Sequence, residues 1–230
     1  MPQFKTAFEE LVREKPSEQS AVPDSLKDLP LVVVPAGDST RDVMGVHLTG
    51  DGGWGVTDKG LSASLAEQGV PVVGLNCLKY FWSKKTPDQA AGDLARVLRH
   101  YMQAWHKERA ILIGYSFGAD VLPFLANRLP ADLSGKVPLV ALLGPSPNAD
   151  FDFHLTDWLG SHRRKDSYPV LPEVQRMTTP RILCFYGESD KDAICKELDP
   201  SRVTSIEMSG GHRVGKKFEG IAQDILHALP

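Results

Sequence analysis

The chain is poor in cysteine, in long unbroken hydrophobic runs and in excess charge of either sign. Three cysteines among 230 residues, Cys77, Cys184 and Cys195, are too few for a disulfide scaffold. They also lack the paired C-x-x-C spacing of a structural zinc site, so no metal is expected. The longest apolar runs, residues 70–75 and 137–143, are strand-sized. They fall well short of the roughly 18 residues that signal a membrane span, and no transmembrane segment is expected. With 26 basic and 29 acidic side chains the formal net charge is −3. No basic stripe is available to neutralise phosphates, which argues against a nucleic-acid partner. The first sixteen residues are charged and lack the apolar centre and small-residue cleavage site of a signal peptide. Taken alone, that beginning implies a cytoplasmic chain.

What the chain does contain is a rhythm. From Leu31 onward, short β-branched runs alternate with longer segments of helical periodicity, with Gly or Pro at the joins. Strands are expected at 31–34, 43–48, 70–75, 110–114, 137–143, 181–186 and 203–208, and crossover helices at 58–68, 88–106, 117–128 and 217–229. Most of the strands are continuously apolar, as in a parallel sheet covered on both faces. The expected fold is therefore α/β, with helices on both faces of a mostly parallel sheet. Residues 1–29, polar and punctuated by prolines, read as a tail or linker before a single domain over 30–230. Between Pro145 and Pro180 the rhythm breaks. The aromatic and charged stretch 150–168 suggests a small insertion over the carboxyl edge of the sheet, where α/β folds bind ligands.

The sharpest motif is Gly114-Tyr115-Ser116-Phe117-Gly118, preceded by an apolar strand and followed by a helix-compatible run. G-x-S-x-G in that setting is a nucleophile elbow: the strand reverses into a helix, and the serine projects above the sheet at a helix amino terminus. A serine hydroxyl needs a base, and the base an orienting acid, each following a later strand. Strand 181–186 runs into Gly187-Glu188-Ser189-Asp190-Lys191-Asp192, where Asp190 is the chosen acid with Asp192 and Glu188 as competitors. The next strand ends at Ser209-Gly210-Gly211-His212, which makes His212 the general base. The remaining histidines carry no such context: His100, His106 and His227 fall in helical patterns, His154 and His162 in the insertion. His47 reads as a buried, hydrogen-bonded strand residue.

Acyl transfer also needs donors for an oxyanion. The loop Thr49-Gly50-Asp51-Gly52-Gly53-Trp54-Gly55 follows an early strand, and the N–H groups of Asp51 and Phe117 form the expected pair. The Asp51 carboxylate would repel an oxyanion. It either points away to meet a cationic substrate group or is a turn-forming residue before glycine. Gly50, Gly52, Trp54 and Tyr115 are expected to line the substrate site together with Tyr80 and Trp82. The last two belong to a cluster, residues 78–85, in which three adjacent aromatics are flanked by lysines. Such a cluster suits a lipid interface, or equally core packing beside solvated charges. The basic run His162-Arg163-Arg164-Lys165 has the same two readings. Cys184 and Cys195, eleven positions apart around the acidic turn, are either a disulfide or two buried thiols.

Several of these motifs together resemble the VirJ family of bacterial virulence proteins, which includes the carboxyl-terminal half of AcvB proteins. The resemblance runs from about Leu29 to Pro230. It rests on residues 48–54, on Tyr80-Phe81-Trp82 followed by Lys85-Thr86-Pro87, on 114–123, on Cys184-Phe185-Tyr186-Gly187 and on Gly210-Gly211-His212. It implies an α/β-hydrolase fold, no cofactor, residence in the periplasm and an association with virulence and type IV secretion. It further implies hydrolysis of aminoacyl-phosphatidylglycerol, lysyl or alanyl, at a membrane surface, with Ser116 as nucleophile, His212 as base and Asp190 or Asp192 as acid. Non-catalytic adaptor and general carboxylesterase are the alternatives. After His212 the family pattern has a second histidine or an aromatic, whereas this chain has Arg213-Val214-Gly215-Lys216-Lys217. Periplasmic residence and the charged beginning agree if this chain is one part of a longer protein.

Overall fold

The computed structural model of the protein describes residues 21–37, 41–152, 167–212 and 217–230. Within them lies a seven-stranded sheet of order β1-β3-β2-β4-β5-β8-β9. Its strands are β1 (Leu31–Val34), β2 (Val43–Leu48), β3 (Val72–Leu75), β4 (Arg109–Tyr115), β5 (Leu139–Leu143), β8 (Arg181–Gly187) and β9 (Val203–Met208). All neighbours pair in parallel except β1, which runs antiparallel to β3 at one edge. Two strands are shorter than their apolar runs, each beginning just after a proline. Pro71 and Pro138 have no N–H to donate, and their carbonyls accept instead from Gly45 and Arg181.

The sheet sorts its side chains by the two-residue period of a strand. On β4, Ala110 and Leu112 enter one hydrophobic cluster, and Ile111 and Ile113 the other. On β5, Val140 and Leu142 face the first, and Leu139, Ala141 and Leu143 the second. The first cluster is closed by α3 (Pro87–Ala104), α4 (Phe117–Ala126) and α6 (Val170–Gln175). Leu61 and Leu65 of α1 (Val56–Glu67) and Ile221 and Ile225 of α7 (Phe218–His227) close the second. Helices thus cover both faces. The longest, α3, starts at a capping box in which Thr86 and Gln89 each accept from the other's backbone N–H, with Pro87 in the first turn.

Two further short helices, α2 (Cys77–Tyr80) and α5 (Ala131–Ser134), fill connections. The strands β6 (Asn148–Ala149) and β7 (Tyr168–Pro169) pair antiparallel, so the insertion after β5 leaves and returns at one place on the carboxyl edge. Its interior, with His154, His162, Arg163, Arg164 and Lys165, lies outside the described residues, as do Met1–Ser20 and residues 213–216. The described end of the expected linker is not free. Leu26 and Leu29 are buried in the core, and Arg96 of α3 binds Asp28 and the Ser25 carbonyl, because apolar residues among the prolines give the segment a face to bury.

Candidate active site

Strand β4 delivers Ser116 to the carboxyl edge and α4 begins at the next residue. Ser116 has φ 51° and ψ −118°, a left-handed conformation that serine adopts only when its surroundings enforce it. Two features enforce it. The Ser116 N–H donates to the Leu143 carbonyl on β5, and the Ser116 carbonyl accepts from Ala119 and Asp120, so the helix is wound from the serine itself. The flanking glycines are the second feature: a Cβ on Gly118 would lie 2.2 Å from the Leu48 carbonyl oxygen, and one on Gly114 2.5 Å from that of Gly118. No side chain fits at either position, which gives G-x-S-x-G a steric cause in this fold.

Ser116 Oγ lies 2.7 Å from His212 Nε2, and His212 Nδ1 lies 2.9 Å from Asp190 Oδ2. A carboxylate can only accept, so the chain of bonds fixes the tautomer: Nδ1 carries the hydrogen donated to Asp190, and Nε2 presents its lone pair to the serine hydroxyl. The Asp190 side chain is 4% exposed, whereas the His212 ring is 42% exposed and open to a substrate. The competitors are placed otherwise. Asp192 is exposed and donates its backbone N–H to Asp190 Oδ1, and the exposed Glu188 accepts from the N–H of Gly210. One residue that the sequence motifs did not single out belongs here. Gly144, at φ 63° where β5 ends, lies so close to His212 that an added Cβ would stand 3.4 Å from the imidazole. The only trace of it in the sequence is a glycine before proline at the end of a strand.

The glycine loop after β2 lies against the serine. A Cβ on Gly50 would meet the Tyr115 ring at 3.2 Å and Ser116 Cβ at 3.5 Å. Thr49 latches the loop: its hydroxyl donates to the Gly50 carbonyl and accepts from the N–H of Cys77 at the start of α2. Further along, Asp58 Oδ2 accepts from the N–H of Gly55, capping α1. The loop, the start of α1 and Tyr115 line a cleft of about 280 Å³ whose charged residues are Asp51 and Asp58. Asp51 and Gly52 are exposed.

Beneath the loop, His47 is fully buried, as its strand position suggested. Its Nδ1 lies 3.0 Å from Ser62 Oγ and its Nε2 3.4 Å from Asp58 Oδ1. Burial holds the His47 pKa below the usual imidazole range, with the Asp58 charge opposing.

One expected substrate contact is corrected. Tyr80 is buried and donates its hydroxyl to Asp93 at 2.6 Å, so its ring belongs to the packing between α2 and α3. Trp54 lies over β3, where its ring occupies the space that a Gly74 side chain would take. Trp54 is half-buried there. Trp82, by contrast, is 60% exposed. The cysteine alternatives also resolve: Cys184 and Cys195 are joined, and Cys77 is a buried thiol whose pKa burial pushes well up. Among the described residues no cluster of three or more His, Cys, Asp or Glu side chains could hold a metal ion.

The fold is shared with solved serine hydrolases and esterases. An alpha-beta serine hydrolase homologue from Coxiella burnetii aligns with TM-score 0.60 and 18% identity over 87% of this chain and 91% of that one. Est1E from Butyrivibrio proteoclasticus gives 0.63 and 13% identity, covering 86% and 91%. XC6422 from Xanthomonas campestris, described as an a/b serine hydrolase without lid, gives 0.54 and 18%, covering 87% and 89%. No curated protein matches significantly in sequence. The family model described as bacterial virulence protein (VirJ) matches residues 42–230, which takes in every strand from β2 onward and all three residues of the Ser116, His212 and Asp190 chain, and the protein belongs to that family.

Proposed function

We propose that the protein is a serine ester hydrolase that cleaves the aminoacyl ester of aminoacyl-phosphatidylglycerol at a membrane surface. The observation that carries the hydrolase reading is the continuous hydrogen-bonded path from Ser116 Oγ through His212 to the buried Asp190, at the end of a strained elbow. Ser116 Oγ attacks the ester carbonyl while His212 Nε2 takes its proton, and Asp190 stabilises the resulting imidazolium through Nδ1. The N–H of Phe117, first in helix α4, and that of Asp51 are the donors proposed for the oxyanion. His212 then returns the proton to the departing glycerol oxygen. Water, deprotonated in turn by His212, releases the amino acid from Ser116.

The substrate is supported by the family resemblance and by charge. An aminoacyl ester carries an ammonium group beside its carbonyl, and the cleft next to Ser116 offers the exposed Asp51 with no basic residue in its lining, whereas Asp58 is buried and accepts from the Gly55 N–H. Exposed Trp82, with exposed Lys79 and Lys84 on either side, suits contact with an anionic lipid surface. No helix among the described residues is long and apolar enough to cross a membrane. Residence in the periplasm is supported by the disulfide, a bond that persists in oxidising compartments. A link to type IV secretion rests on the resemblance alone.

The test is release of lysine and alanine from the corresponding aminoacyl-phosphatidylglycerols in mixed micelles. The wild type is expected to release amino acid, and S116A to lose at least about a thousandfold in kcat. Equal failure of two folded proteins would exclude these lipids as substrates and favour the adaptor or a different ester.

A further inference from the structure

We propose that the Cys184–Cys195 disulfide is a positioning element of the active site, holding Asp190 against His212; the proposal rests on the triad reading above. Asp190 stands six residues after one cysteine and five before the other, so the bond brackets the turn that carries the acid. That turn is held by backbone hydrogen bonds more than by side-chain packing. Glu188, Ser189, Lys191 and Asp192 are all exposed, and Asp190 is the one side chain of the five that is nearly buried.

The upstream end is fixed by the sheet. Cys184 lies inside β8, in register with Leu142 of β5 and Ser205 of β9, and the N–H groups of Glu188 and Ser189 continue the ladder onto the Met208 and Gly210 carbonyls. The downstream end leaves the sheet and turns at Ile194–Glu197. Its noncovalent ties include the Ile194 N–H to the Pro145 carbonyl, the Ser205 hydroxyl to the Cys195 carbonyl, the burial of Ile194 and Leu198 in the core, and Lys196, which pairs with Glu207 and lies over the Tyr186 ring. The disulfide adds a covalent tie to the sheet interior, with 5.6 Å between the Cα atoms and both cysteines buried. Cutting it removes the one covalent tie between that end and β8 and loosens the turn, so that the carboxylate drifts from Nδ1. A displacement on the order of 1 Å in a catalytic constellation costs up to about a hundredfold in rate.

The experiment compares the wild type, D190N and C184A/C195A by two readouts. The first is the far-downfield proton resonance of an imidazole Nδ1–H shared with a carboxylate, which needs no substrate. The second is kcat and KM for p-nitrophenyl acetate, a small soluble ester. The wild type is expected to show the resonance and D190N to lack it. C184A/C195A, with a native circular dichroism spectrum, is expected to lose or broaden it and to show kcat reduced about ten- to a hundredfold at unchanged KM. Retention of both the resonance and kcat by C184A/C195A would overturn the proposal.

If that variant does not fold, the same readouts are taken on wild type reduced with dithiothreitol, which delivers two electrons and two protons to give two thiols and its own cyclic disulfide. Loss of the native spectrum there as well would make the bond a staple of the whole domain and overturn the positioning role. A wild type without the resonance would instead overturn the triad reading, and this proposal with it.

Discussion

Ser116 is held in a conformation that disfavours every residue except glycine, at a cost of order 1–3 kcal/mol, and the surrounding sheet and helix bear that cost. Strain at one residue, with an imidazole 2.7 Å from its hydroxyl, is what a poised nucleophile requires. Two nearby aspartates then separate by role. D190N removes the acceptor that fixes the His212 tautomer and is expected to lower kcat by about a hundredfold to ten-thousandfold. D192N leaves the backbone N–H that binds Asp190 in place and is expected to stay within about threefold of wild type. Ester hydrolysis by the two purified variants, side by side, checks the assignment. Loss in D192N with retention in D190N would reverse it.

At the scale of elements, aromatic residues near the site divide between packing and exposure. Y80F deletes the hydroxyl that Tyr80 of α2 donates to Asp93 of α3, and its expected effect is on stability, about 1 kcal/mol, with kcat and KM unchanged. Thermal melts and steady-state kinetics on one preparation would reveal a substrate role if KM rose instead. The same division explains what the sequence could and could not convey. The elbow was legible because its two glycines answer to backbone atoms, a constraint that leaves no alternative residue. Asp190 against Asp192 was not, since a two-residue difference in an exposed turn leaves hydrophobic periodicity unchanged. The inward turn of Tyr80 was not legible either, because an aromatic after a strand can fold inward or outward, and the partner that draws it inward, Asp93, lies on the next helix. The antiparallel direction of β1 was equally invisible: Leu-Val-Val-Val fits an edge in either sense.

Across the whole molecule, groups that the proposed chemistry does not use shape stability with pH. Asp120, in the first turn of α4, is buried with Oδ1 accepting from the Ser146 N–H at 2.6 Å, and burial raises its pKa well above the usual carboxylate range. A carboxyl whose folded pKa is raised favours the native state below its unfolded pKa, near 3.9, and that contribution is lost as pH rises toward the folded value. D120N keeps an acceptor for Ser146 and carries no charge. It is therefore expected to melt above wild type at pH 8, with the gap closing toward pH 4. An equal gap at both pH values in thermal melts would show that the buried charge is not the cause.

His47 acts on the other flank. Its lowered pKa means that the unfolded chain binds its proton first, so stability from this residue is present above the usual imidazole pKa and falls as pH drops through the folded one. Both groups lie beside the elbow or under the glycine loop, so the fold is balanced by burial where the site is built.

The alignment of His212 and Asp190 behind Ser116 is what would activate its hydroxyl as the proposed nucleophile. The most direct measurement is labelling of the folded protein with a fluorophosphonate, followed by proteolysis and mass spectrometry of the adduct. A single adduct is expected on the peptide containing Ser116, absent in S116A and formed at least about tenfold more slowly in D190N. Absence of an adduct on Ser116, or labelling at the same rate when Asp190 is replaced, would contradict it.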